Sequence, residues 1–157
     1  AKVSHPTLGF VYNNYLSTCP RVPHPYRLGS RSLPQSNAAP TVILDRSGAP
    51  RLAIGSAGSR RITSSIVQVV SATLDRGMSL RDAVAAPRSH ALLGRSAWAE
   101  ESMDPAALRA LRSRFLRVRT LKPLNYKLGA VQAIAWDPDR SAHAAADPRR
   151  DGAAAWA

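Results

Sequence analysis

The hydrophobic pattern along the chain changes period several times, and each change marks an element. Thr41 to Leu44 and Arg51 to Ile54 are short apolar runs of strand length. Asp45-Arg46-Ser47-Gly48-Ala49-Pro50 between them reads as a hairpin loop, with Gly48 where a positive φ is needed. From Ile62 the period lengthens, and Ile62, Ile66, Val69, Val70, Thr73 and Leu74 share one helical face that Gly77 ends at the C′ position. Ser79 with Asp82 three residues on is a capping pattern for a short helix through Leu80, Ala83 and Val84, which Pro87 ends. Asp104-Pro105, an N-cap followed by proline at N1, opens a third helix with Leu108, Leu111 and Phe115 on its buried stripe.

Strand-like alternation returns at Leu116, Val118 and Thr120, set against Arg117 and Arg119. The Ala130 to Trp136 segment reads as a further strand, turned by Asp137-Pro138-Asp139 into a short run around His143 to Ala146. Elsewhere the pattern is weaker. Ala1 to Thr7 reads as a frayed start and Leu8 to Tyr12 as a strand ending in the turn pair Asn13-Asn14. Cys19 to Pro40 is a proline-broken loop, either functional or wrapped over a neighbour, with Tyr26 and Arg27 as anchors for packing or binding. Arg88 to Ser102 reads as irregular, with Trp98 plugging a gap, and Asp147 to Gly152 as a polar surface turn. Hairpins with segregated helices predict an α+β protein, an antiparallel sheet covered by helices. The whole of residues 1–157 is expected to form one domain.

One stretch carries candidate chemistry. Leu52 to Ile54 ends a buried strand, Gly55 to Ser59 contains only small residues, and the helix follows. Strand, small-residue turn and helix together leave free N–H groups at the helix start. Such a turn can hold a phosphate, a carboxylate or an acyl-transfer oxyanion. The same residues also suit a tight connection that needs nothing but close packing.

Composition narrows the choice. Lys+Arg is 22 against 10 Asp+Glu, a formal charge of +12, which invites an anionic partner. The arginines are scattered and form no recognised nucleic-acid module, so no nucleic-acid role is assigned. No apolar run approaches the roughly 20 residues of a membrane span, and no export signal opens the chain. Ala1 is compatible with a removed methionine or with a longer chain. Cys19 is a lone cysteine, and His5, His24, His90 and His143 lack ligand spacing, so no metal site is expected.

Several segments, in this order, resemble the C-terminal part of gamma-glutamyltransferases. They are Gly9-Phe10-Val11-Tyr12-Asn13-Asn14, Ala39-Pro40-Thr41, Gly55-Ser56-Ala57-Gly58-Ser59-Arg60, Asp75-Arg76-Gly77-Met78, Ala83 to His90, and Asp147-Pro148-Arg149-Arg150-Asp151-Gly152. The resemblance implies part of a four-layer αββα N-terminal-nucleophile hydrolase fold and a precursor that cleaves itself into large and small subunits. It implies a threonine nucleophile that attacks a gamma-glutamyl amide such as glutathione, passing the acyl group to water or an amino acceptor without metal or cofactor.

By that resemblance the paired glycines of the oxyanion hole fall on Gly58 and Ser59, where only backbone N–H groups are required. The serines that hold the substrate α-carboxylate fall on Ser36 and Asn37. The groups that grip the α-amino group fall on Tyr15 and Thr18, neither of them charged. The chain begins after the position of the nucleophilic threonine, and Thr7 is internal, without a free amine to act as base. The expected partners are therefore the large subunit, the small-subunit segment before Ala1, and a small gamma-glutamyl or acyl-amide substrate. The isolated chain is expected to be inactive. The family alone suggests export or a periplasmic location; the chain itself assigns no compartment. The alternative is a non-catalytic binding or scaffold protein whose scattered arginines hold a polyanion.

Overall fold

The computed structural model describes residues 4–10 and 36–155. The chain divides into two compact units, Ala1–Ser36 and Asn37–Ala157. Of the first unit, residues 4–10 form a turn rather than a frayed start followed by a strand. The His5 N–H donates to Phe10 O at 2.8 Å, and His5 Nδ1 accepts from the N–H groups of Thr7 and Leu8 at 3.3 and 3.1 Å. A histidine side chain that accepts two local N–H groups competes with strand pairing, so Leu8 to Phe10 is not extended into a ladder. The rest of the expected strand lies outside the described residues.

The second unit is built on a four-stranded antiparallel sheet: β1 (Thr41–Leu44), β2 (Pro50–Ala57), β6 (Ala130–Trp136) and β7 (Ala142–Ala146), in the order β1-β2-β6-β7. The β1–β2 hairpin closes as its turn residues predict. The Asp45 carboxylate accepts the Ser47 and Ala49 N–H groups at 2.8 and 2.9 Å, and Gly48 has φ +85°. Those bonds and the Ser47 hydroxyl hold the Asp45 carboxyl below its ordinary range, the hydroxyl contributing most. Strand β2 is longer than its apolar run. Gly55, Ser56 and Ala57 pair with Gln132, Val131 and Ala130, so only Gly58 and Ser59 remain of the expected five-residue turn.

Two helices cover one face: α1 (Ile62–Leu74) and α2 (Leu80–Ala85). Gly77, at φ +65°, turns the chain so that the Met78 N–H reaches Ala72 O at 3.0 Å, and Ser79 caps α2 by accepting the Asp82 N–H at 3.1 Å. Leu52 and Ile54 of β2, Val131 and Ala133 of β6, and Ile66, Val69 and Val84 of the helices form the core. The opposite face carries the row Val42–Ala53–Ile134–Ala144 straight across all four strands. Val42 and Ile134 are 64% and 39% exposed there, so the row is apolar and open among the described residues.

Between α2 and β6 the chain inserts a second sheet. Its first two strands fall in the stretch that the sequence pattern reads as irregular, and its third is the strand expected after Leu116. Strands β3 (Ser89–Leu92) and β4 (Ser96–Glu100) form a hairpin, and β5 (Arg117–Leu121) pairs with β4 in parallel. The helix-covered sheet is antiparallel as expected, and the parallel pair belongs to this additional sheet. Its crossover is α3 (Pro105–Arg114), and a helical crossover of this kind is what parallel neighbours require. Asp104 caps α3 by accepting the Ala106 and Ala107 N–H groups at 2.8 and 3.0 Å. Leu108 is its buried residue, while Leu111 and Phe115 are half-buried and Leu116 lies outside β5, 73% exposed.

The polar tail is not a surface turn. Asp147 and Arg149 are 0% and 5% exposed, and with Arg88 at 1% and Glu100 at 0% they form a buried cluster of balanced charge. Arg149 grips Glu100 through Nε and Nη2 at 2.8 and 2.7 Å, and Arg88 Nη1 meets Asp147 Oδ2 at 2.7 Å. The Val131 N–H donates to Asp147 at 2.7 Å, the Asn125 N–H to Glu100 at 2.8 Å, and Arg88 Nη2 donates to Val84 O at 2.6 Å. Burial pushes the Arg88 guanidinium below its ordinary range, and the neighbouring Arg149 charge adds to the effect. Removing one member strands a buried charge, which costs about 3–5 kcal/mol. Glu100→Gln and Arg149→Leu are therefore expected to lower the urea midpoint sharply at neutral pH. A shift matching a surface substitution, within about 0.5 kcal/mol, would contradict this account of the cluster.

Candidate functional site

The site candidate stands where β2 leaves the sheet. Gly58, at φ +146°, ends the strand, Ser59 to Arg61 form a single 3-10 turn, and α1 begins at Ile62. The helix begins at Ile62, where the apolar period lengthens, and the 3-10 turn joins it to the strand. The N–H groups of Gly58, Ser59 and Arg60 donate to no other described residue, while the Arg61 N–H returns to Gly58 O at 3.1 Å. The turn thus presents free donors at a helix start.

Its backbone is closely held. A Cβ on Gly58 would stand 2.9 Å from Gly129 Cα, a backbone atom that cannot swing aside. Gly129 is equally confined, since its own Cβ would meet Ser65 Oγ at 2.8 Å. Ser65, fully buried on α1, donates to Ile62 O at 2.9 Å and lies 2.8 Å from Ser56 Oγ. Arg88 Nη1 donates to Gly129 O at 3.3 Å, which links the buried ion cluster to the residue packed on Gly58.

Arg61 fixes the other side. Its Nε donates to Lys127 O at 2.9 Å and its guanidinium lies 5.7 Å from the Trp98 ring centroid, a cation–π contact. Ser64 Oγ donates to Arg61 O at 3.1 Å and stands 2.8 Å from His90 Nδ1. Gln68 makes a two-bond contact with the Ser89 backbone, at 2.9 and 3.0 Å, and the first half of α1 is stitched to β3. Burial, and after it the Arg61 charge, hold the His90 imidazole below its ordinary value.

Ser59 has φ +55°, the left-handed region that costs a non-glycine residue about 1–2 kcal/mol. The other expected site residues are placed as follows. Asn37 is half-buried and opens the second unit. It precedes Thr41, whose partner in β2 is Ile54, so the chain enters β1 at the end of the hairpin from which β2 runs on to Gly58. Ser36 is exposed and closes the first unit, and Tyr15 and Thr18 lie outside the described residues. Thr7 Oγ1 stands 3.2 Å from His5 Nδ1, inside the chain rather than at its head. Among the described residues no group of three or more His, Cys, Asp or Glu side chains converges to hold a metal ion.

Sequence reasoning missed the residues that brace the turn: Arg88, Glu100, Asp147 and Arg149 in the buried cluster, and His90 and Ser64 beside it. The proline before Arg88 and the spacing of Asp147 and Arg149 around Pro148 were the available signals, and neither distinguishes a buried charge from a solvated one.

The antiparallel sheet covered by helices fits the α+β, N-terminal-nucleophile hydrolase fold that the sequence resemblance implies. The chain belongs to the gamma-glutamyltranspeptidase family, whose sequence model matches residues 1–157. It is 30% identical over 153 residues to the glutathione hydrolase proenzyme of Escherichia coli K12, covering 90% of this chain and 26% of that protein. It is 33% identical over 157 residues to the acylase ACY 1 proenzyme of Pseudomonas sp. strain SE83, covering 97% of this chain and 26% of that protein. The gamma-glutamyltranspeptidase of Pseudomonas nitroreducens, solved in complex with L-DON, shares the fold at a TM-score of 0.82 and 22% identity, over 99% of this chain and 86% of that one. The chain thus spans about a quarter of the length of the curated relatives it matches.

Two outcomes follow from the geometry. Ser59→Gly relieves the left-handed strain at the expense of unfolded-chain entropy and is expected to stabilise by about 0.5–1 kcal/mol in urea unfolding. Gly58→Ala, forced against Gly129, is expected to destabilise by about 1–3 kcal/mol. Separately, the His90 ring should titrate below about 6.5 in NMR spectra. The unfolded chain then binds the extra proton first as pH falls, so the His90 contribution is complete above about pH 6.5 and declines as the pH drops toward the folded value. A midpoint at or above the ordinary value would refute the burial assigned to this ring.

Proposed function

We propose that this chain is the C-terminal part of the small subunit of a gamma-glutamyltransferase-type enzyme. It contributes the oxyanion donors and part of the substrate cradle. The N–H groups of Gly58 and Ser59 stabilise the tetrahedral oxyanion, formed when a threonine from outside this chain attacks a gamma-glutamyl or related acyl amide. A backbone donor needs no particular side chain, so serine at the second position serves as glycine would. Ser36 and Asn37 hold the donor's α-carboxylate, Asn37 through its side-chain amide. Tyr15 and Thr18 stand at the α-amino end. The large subunit and the segment bearing the nucleophile are the partners, and the open Val42–Ala53–Ile134–Ala144 row is the face on which the second sheet of the αββα sandwich packs.

The observation that carries this reading is the turn itself: free N–H groups at Gly58 and Ser59, in a chain that the family model matches along its whole length. The scaffold alternative is not favoured, because the relatives found are enzymes.

With neither residue charged at the α-amino end, a charge-assisted contact becomes a neutral one. Hydrogen bonds to charged groups contribute about 1.5–3 kcal/mol against about 0.5–1.5 for neutral ones. The enzyme therefore accepts acyl groups without the α-amine, such as glutaryl amides, and the identity to an acylase proenzyme supports that range.

The test joins this chain to the preceding segments of the Escherichia coli relative and compares gamma-glutamyl with glutaryl anilides. Turnover of both donors is expected from the joined protein and no turnover from the isolated chain. Gly58→Val keeps its N–H, but its side chain drives the turn off Gly129 and misaims the donors. Its kcat is therefore expected to fall by about 10²–10³, as on loss of an oxyanion donor. Thr18→Asp should restore preference for the gamma-glutamyl donor by about tenfold. Full activity of the Gly58→Val protein would overturn the oxyanion assignment, and a strong gamma-glutamyl preference already present with Thr18 would overturn the donor range.

A further inference from the structure

The inserted second sheet gathers charge in a way that the linear sequence conceals. Residues 105–136 contain no Asp or Glu at all, and neither do residues 83–99. At one end of this sheet the β3–β4 turn, Leu93-Gly94-Arg95, meets the last turn of α3 and the start of β5. The Leu116 and Arg117 N–H groups both donate to Arg95 O, at 2.8 and 3.4 Å, which fixes the juxtaposition. Arg95, Arg112, Arg114 and Arg117 are all exposed around this tip, and none forms an ion pair among the described residues. Arg109 and Arg119 are exposed further along the same helix and strand. The acids nearest in sequence stand elsewhere: Glu100 is buried in the ion cluster, Glu101 pairs its N–H with Leu121 O at the far end of β5, and Asp104 caps the opposite end of α3.

The apex of this positive tip is apolar. Leu93 is 89% exposed and Leu116 73%, the two most exposed large hydrophobic side chains among the described residues. No exposed aromatic accompanies them, since the Trp98 ring lies under Arg61 and Phe115 is half-buried. Paired leucines ringed by arginines are poorly suited to a polynucleotide, which offers phosphates and stacking faces but nothing for an aliphatic knob. They match an anionic bilayer surface, where guanidinium groups meet lipid phosphates and leucines enter beneath the headgroups.

We propose that the Leu93/Leu116 tip is a peripheral docking site for anionic lipid membranes. Docking is by shallow insertion, and no helix of the described residues is long and apolar enough to cross a bilayer.

Co-sedimentation of the full chain with vesicles tests this directly. The chain should move with vesicles of phosphatidylcholine containing phosphatidylserine, stay behind with pure phosphatidylcholine, and be released by salt. The Leu93→Ser/Leu116→Ser protein keeps every charge, and each substitution should lower partitioning about tenfold. Each change in Arg114→Ser/Arg117→Ser should lower it about fivefold. Arg51→Ser/Arg76→Ser removes the same charge away from the tip and should leave partitioning unchanged. An equal loss from that control pair would show that net charge alone is sensed and would overturn the site. Unchanged partitioning of the leucine variant would overturn the insertion, as would retention on heparin or DNA without vesicle binding, the result of a polyanion partner.

Discussion

Four buried charges hold the second unit together. Arg88 leaves the end of α2, Glu100 ends β4, and Asp147 and Arg149 follow β7, so no two of the three segments are neighbours in sequence. Burying an ion costs several kcal/mol, and the cost is offset only when every donor and acceptor is engaged. Here the carboxylates also accept backbone N–H groups from Val131 and Asn125, and the guanidiniums also donate to Val84 O and Ala86 O. Arg88 Nε is the one cluster atom that finds no partner. Through these directional bonds the cluster ties the tail and the β3–β4 hairpin to the start of β6.

That constraint passes directly to the candidate site. Asp147 holds the Val131 N–H and Arg88 holds Gly129 O, so the start of β6 is gripped from both sides of one residue. Gly129 in turn lies against Gly58, with no space for a Cβ on either. On the far flank Arg61, Ser64 and His90 tie the 3-10 turn to β3 and to the loop before Gly129. The turn is enclosed by neighbours that cannot move independently.

How much of this the sequence disclosed follows from what each pattern can sense. The three α-helices, their Ser79 and Asp104 caps, the Asp45 hairpin and the full extent of β6 were legible, because capping, turn chemistry and periodicity are local properties. Strands β3 and β4 were not. Arg88 and Glu100 bracket them, and a reading that equates charge with solvent exposure finds only an irregular polar stretch. The same equation placed Asp147 and Arg149 on the surface. The β2 error was different in kind: Gly55-Ser56-Ala57 has turn-like composition, and only the length of β6 across from it makes it strand. The parallel pairing of β5 with β4 was equally beyond local pattern, since antiparallel and parallel strands of this length alternate alike.

Ser59 shows why the site needs such bracing. A left-handed serine is held against its own preference, and strain of this kind persists only where the surroundings over-determine the backbone. For a turn proposed to receive developing negative charge, the value of that rigidity is specific. Donors that must reorient during the reaction return part of their stabilisation as reorganisation cost, whereas donors already fixed do not. Glycine at both positions would make the conformation easier to adopt and also easier to leave. With serine at the second position, the Gly129 contact and the Arg61 anchor must supply what glycine's freedom would otherwise make unnecessary. The buried cluster behind Gly129 is what makes that contact unyielding, so charges well away from the turn decide whether its N–H groups converge.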